Sequence, residues 1–123
     1  MNEGLIIDDN RQTADALHQM IGVLGFQARV AYSSSAAMAL LGTGFTPQFI
    51  FLDINMPGLD GTAILAYLRR EPRLIPVPVI VITSDDQPET RVKVNKLGAT
   101  TMIIKPATID TLEAAFKTAK MLV

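Results

Sequence analysis

Short apolar runs rich in β-branched residues alternate along the chain with stretches where apolar residues recur three and four positions apart, the spacing of one helix face. Leu5-Ile6-Ile7 predicts a first strand, and Ala14, Leu17, Met20, Ile21 and Leu24 stripe a helix that Gly25 can close. Gln27 to Tyr32 predicts a second strand, followed by a helix through Ala36, Ala37, Leu40 and Leu41 that ends at Gly42 and Gly44. Phe49-Ile50-Phe51-Leu52 is apolar on both faces, as a central parallel strand covered by helices on either side must be.

Beyond the turn-rich Pro57-Gly58-Leu59-Asp60-Gly61, a helix carries Ile64, Leu65 and Leu68 and stops before Pro72. Val79 to Ile82 predicts the fourth strand, with Pro78 at its entrance, where a missing ladder donor costs least. Glu89 to Leu97 reads as a polar, thinly anchored helix with Val92, Val94 and Leu97 as its apolar residues and Gly98 as its stop. Thr100 to Ile104 is the last strand, and Ile109, Leu112, Phe116 and Ala119 stripe the closing helix. Alternating strands and helices imply right-handed crossovers and a doubly wound α/β parallel sheet. No repeat, linker or second domain is visible, so one domain is expected to fill residues 1–123.

Composition narrows the chemistry. Among 123 residues there is no cysteine, which removes thiol catalysis, thiolate zinc sites and disulfides. Eleven basic against twelve acidic residues, with no basic block, give no footprint for a nucleic-acid backbone. Glu3 stands where an export signal would carry a base, and apolar stretches such as Val77 to Ile82 are strand-sized and far short of a membrane span. A soluble, cytoplasmic protein is expected.

In such sheets ligands bind at the carboxyl ends of the strands. The polar residues there are Asp8 and Asp9 after strand one, Asp53 after strand three, Thr83 after strand four and Lys105 after strand five. Alone, each has a plainer reading: a helix-capping acid, a turn threonine, a snorkelling lysine. Together they crowd one sheet edge. Two carboxylates about 5 Å apart repel by roughly 3 kcal/mol at an effective dielectric of about 20, so three acids call for protons or a cation. An all-oxygen donor set without His or Cys suits Mg²⁺. Magnesium, lysine and a hydroxyl together serve charge on phosphoryl oxygens, and a carboxylate among them can be the nucleophile.

These residues resemble the pattern of response-regulator receiver domains, of the chemotaxis-regulator type with a flavodoxin-like fold, from end to end of the chain. The matching elements are Asp8-Asp9, the stretch Asp53-Ile54-Asn55-Met56-Pro57-Gly58-Leu59-Asp60-Gly61, Thr83, and Lys105-Pro106. Gly25-Phe26 and Gly98-Ala99 are weaker echoes. The resemblance implies five parallel strands in the order 2-1-3-4-5 and a role in two-component phosphorelay signalling. It implies that Asp53 accepts a phosphoryl group from a histidine kinase or histidine phosphotransfer protein. It further implies that Asp9, Asp53 and the backbone carbonyl of Asn55 bind Mg²⁺, with Asp8 behind these ligands or reaching the ion through water. Thr83 would then bond the phosphoryl group, Lys105 would neutralise it, and the face of the fourth helix, fifth strand and fifth helix would switch toward a downstream target or fused output domain. A cis Lys105-Pro106 peptide also belongs to the pattern. The expected role is signalling rather than enzymatic.

The chain departs from the pattern at Met102, where many receivers carry an aromatic, at Ala107, where Phe is frequent, and at Gln48 and Thr101, where acids are common. These departures touch the output route and leave the phosphorylation chemistry intact. Ser84 leaves room beside Thr83, and His18 reads as an ordinary residue of the first helix. Glu89, Arg91, Lys93, Lys96, Asp110 and Lys117 are candidates for a dimer surface, without support for a dimer. A haloacid-dehalogenase-type phosphatase would need an acid two residues after Asp53, where Asn55 stands. A flavodoxin-like electron carrier would need a small-residue phosphate loop where Asp8-Asp9-Asn10-Arg11 stands, and no dinucleotide fingerprint is present. The remaining alternative is a receiver-shaped interaction module that works without phosphorylation.

Overall fold

The computed structural model describes residues 3–56 and 61–122. Five strands, β1 (Glu3–Ile7), β2 (Gln27–Ala31), β3 (Ile50–Asp53), β4 (Val79–Thr83) and β5 (Thr101–Ile104), form one parallel sheet in the order β2-β1-β3-β4-β5. Between them run α1 (Arg11–Val23), α2 (Ser34–Gly42), α3 (Gly61–Leu68) and α4 (Pro88–Lys96), and α5 (Ile109–Thr118) closes the chain. A short 3₁₀ turn, Pro72–Leu74, lies between α3 and β4. The expected flavodoxin-like topology is the one observed, with boundaries shifted by a residue: Tyr32, Phe49 and Thr100 lie just outside their strands.

Successive side chains of a strand point to opposite faces, and the core divides accordingly. Leu5, Ile7, Ile50, Leu52, Val79 and Val81 pack toward α2 and α3. Ile6, Phe51, Ile80, Ile82 and Ile103 pack toward α1 and α5, where Phe26 stacks on Phe116 and the remaining contacts among Phe26, Phe49, Phe51 and Phe116 are edge to face, with centroids 4.2–5.8 Å apart.

Among the described residues, three helices start on a side-chain cap that the sequence supplies. Asn10 accepts from the Thr13 N–H at 3.1 Å, Ser33 from Ala36 at 3.0 Å, and Thr108 from Thr111 at 3.1 Å within a reciprocal capping box. α4 differs: its N-cap Gln87 makes no side-chain cap bond, and Pro88 follows at the first helical position. The thin anchoring expected of this helix is observed. Only Val94 is buried, Leu97 is half-buried at the C-cap, and Val92 is 52 % exposed. Val92 and Val94 are two residues apart, which on a helix puts them about 200° apart, so they cannot share one face.

Candidate functional site

Strand register brings the candidate residues to one level. Ile7 pairs with Leu52, so Asp8 and Asp53 come next on adjacent strands; Thr83 pairs with Ile104, and Lys105 follows. Each apolar run ends where the helices stop covering the sheet, so these polar groups gather at its carboxyl edge. Asp8, Asp53 and Thr83 are nevertheless buried, and Asp9 is exposed.

One carboxylate oxygen from each of Asp8, Asp9 and Asp53 lies within 4.8 Å of the other two. Asp8 Oδ1 accepts from the Asn10 N–H at 2.9 Å, and Asp53 Oδ1 accepts from the Asn55 N–H at 2.9 Å. Lys105 Nζ stands 3.3 Å from Asp53 Oδ2 and 3.5 Å from Asp8 Oδ2. One ammonium thus faces two buried acids, with a third nearby. Burial above all, with the Asp53 charge adding to it, pushes the Asp8 carboxyl up from 3.8 to about 6, against the pull of the Asn10 N–H and Lys105.

Among the described residues Asp8 Oδ2 is buried without a hydrogen-bond donor, with Lys105 Nζ at ion-pair distance only. A buried carboxylate oxygen in that condition, beside two further acids, fits a hard divalent cation, and the donor set is oxygen throughout. Asn55 does more than its place in the sequence suggested. Besides its N–H bond to Asp53, its carboxamide Oδ1 accepts the hydroxyl proton of Thr83. Thr83 Oγ1 in turn accepts from the Asp85 N–H at 3.0 Å.

All six candidates, Asp8, Asp9, Asp53, Asn55, Thr83 and Lys105, therefore meet at one edge. The Lys105-Pro106 peptide is cis. Pro57, Gly58, Leu59 and Asp60 of the motif lie outside the described residues, while Met56 is buried and Gly61 opens α3. His18 is exposed on α1 and Ser84 is exposed beside Thr83. Met102 is half-buried against α4, where Val94, Asn95, Thr101 and Met102 help line a cavity of about 250 Å³.

One residue gained importance only in three dimensions. A Cβ on Gly61 would lie 2.3 Å from Ile54 Cα and 2.9 Å from the Asp53 carbonyl oxygen, so the start of α3 sits directly on the backbone that carries the acid. The sequence offered Gly61 as a turn residue that closes the Asp53 to Gly61 motif, and the close backbone approach is seen only in the fold.

A family model described as the response regulator receiver domain matches residues 5–117. The transcriptional regulatory protein TctD of Salmonella typhimurium is 31% identical over 113 residues, which is 92% of this chain and 49% of that protein. The chain spans about half the length of the first curated relatives it matches. Among solved structures, the signal receiver domain of a DNA binding response regulator protein from Colwellia psychrerythraea 34H aligns with TM-score 0.87 and 30% identity, covering 95% of this chain and 96% of that one. A response regulator from Burkholderia pseudomallei, solved with a phosphorylated aspartic acid, a calcium ion and citrate, aligns with TM-score 0.83 and 27% identity over 94% of this chain and 66% of that one.

Proposed function

The chain belongs to the response regulator receiver family of two-component systems, and from that premise we propose that Asp53 is its phosphoacceptor, charged from a phosphohistidine on a histidine kinase or histidine phosphotransfer protein. One observation carries this reading. The buried Asp53 carboxylate has one oxygen held by the Asn55 N–H and the other facing Lys105 Nζ, beside two further acids. The phosphorylated aspartic acid of the Burkholderia relative supports it.

An Asp53 oxygen attacks phosphorus; the new O–P bond forms as the N–P bond of the phosphohistidine breaks, its electron pair returning to the imidazole. The Asn55 N–H orients the attacking carboxylate, and the Lys105 charge lies where the phosphoryl oxygens gather. A divalent cation, Mg²⁺ by its fit to oxygen donors, would be held by Asp9, Asp53 and the Asn55 carbonyl with Asp8 beside them, and would supply further positive charge to those oxygens. Thr83 then turns its hydroxyl to a phosphoryl oxygen, which biases the α4, β5 and α5 surface toward a second arrangement.

Since Asp53 is itself modified, the chain acts as a signalling phosphoprotein that promotes its own phosphorylation and dephosphorylation, rather than as an enzyme with a separate substrate. Its output would be a target protein or a fused output domain, with the chemistry in the cytoplasm.

Intact mass after incubation with Mg²⁺ and acetyl phosphate tests this. The native chain is expected to gain one phosphoryl group, and Asp53→Asn none. No gain in a folded native chain would favour the phosphorylation-independent interaction module.

A further inference from the structure

Thr83 is wholly buried, so water cannot replace its partners, and its hydroxyl has a single proton to give. That proton goes to Asn55 Oδ1, while the Thr83 oxygen accepts from the Asp85 N–H at 3.0 Å. Asp85 continues the chain of bonds. Its Oδ1 accepts from the Gln87 N–H at 2.9 Å, and its Oδ2 accepts the Thr90 hydroxyl proton. Gln87 is the N-cap of α4 and Thr90 its third residue, so a carboxylate two residues before the cap is bonded both to the cap backbone and to a side chain of the helix's first turn.

From these contacts we propose that Asp85 and Thr90 are positioning residues that transmit the state of Thr83 to the first turn of α4, with Asn55 holding the hydroxyl in the resting arrangement. The proposal rests on Asp53 as phosphoacceptor. A hydroxyl that turns to a phosphoryl oxygen must leave Asn55, because it has no second proton. Its oxygen then moves relative to the Asp85 N–H, and Asp85 shifts or loses that bond. Whatever Asp85 does reaches α4 through both of its carboxylate oxygens. The helix can follow at low cost, since Val94 is its one buried apolar residue. Met102 offers no aromatic ring on β5 for a competing route.

The test uses the full chain with Mg²⁺ and beryllofluoride, a phosphoryl mimic, read by backbone amide NMR shifts. Ile54 and Lys105 report on the site, and Val92, Val94 and Lys96 report on α4. In the native chain both sets shift. In Thr90→Val, which keeps the shape and loses the hydroxyl, the site set shifts as before and the α4 set shifts less by about three- to tenfold, the range a net hydrogen bond spans. Thr90→Ser, which keeps the hydroxyl, restores the native response. An α4 response in Thr90→Val equal to the native one overturns the relay and leaves the phosphoacceptor reading intact. Absence of any site response in the native chain overturns that reading and the relay with it.

Discussion

Lys105 Nζ serves two buried acids at once, 3.5 Å from Asp8 and 3.3 Å from Asp53, and a single charge cannot compensate both. The consequence is visible at Asp8, whose carboxyl is raised to about 6 chiefly by burial. A carboxyl that binds its proton more tightly folded than unfolded adds stability at low pH and loses it as the pH rises from 3.8 through about 6. The metal-free native chain is therefore expected to lose more stability than Asp8→Asn between pH 4 and pH 7, read as the difference in Tm. Saturating Mg²⁺, which favours the ionised form, should shrink that difference. The acids themselves were legible in the sequence, because each ends an apolar run that offers it no partner. The carboxamide of Asn55 was not, since its partner Thr83 is 28 residues away and nothing local marks the pair.

At the scale of elements, α3 and α4 show what periodicity conveys and what it misses. Ile64, Leu65 and Leu68 mark one face of α3, and all three are buried as their spacing requires. Gly61 carries no such mark, yet the approach of its α-carbon to Ile54 is what seats α3 against the end of β3. Gly61→Ala must push backbone against backbone, and a cost of about 2 kcal/mol or more is expected in urea denaturation, with the Ile54 and Asn55 amides displaced in NMR. α4 inverts the lesson. Its polar composition correctly indicated loose anchoring, and the angle between Val92 and Val94 leaves only Val94 to face the core. Away from the functional edge, Arg69 ties the ends of α3 and α4 together. Its Nε donates to the Gly98 carbonyl at 2.8 Å, and another guanidinium nitrogen donates to the carbonyls of Leu74, Ile75 and Val77 at 2.8–3.2 Å.

Across the whole molecule, one sheet separates two apolar layers, and every central strand contributes to both. Neither layer can melt while the other persists, because unpairing the strands opens both. Methyl signals of Leu65 on one side and Leu112 on the other should accordingly vanish at the same urea concentration, in a single transition. Two separate midpoints would mean that one layer survives without the other. No helix among the described residues is long and apolar enough to cross a membrane. The parallel sheet was open to inference from the alternation of elements and its strand order from the likeness at the site residues, whereas the bonds joining Asp53, Thr83 and α4 emerge only once the chain has folded.

The division of each strand between two layers also behaves like a reading frame. Ile50 and Leu52 face one layer and Phe51 the other, so inserting or deleting a single residue in β3 would exchange their sides and present the wrong volumes to both. The same slip would turn Asp53 away from Lys105. Changes in chain length can accumulate in the connections between elements, while the strands that carry the acid edge tolerate substitution but not a shift in count.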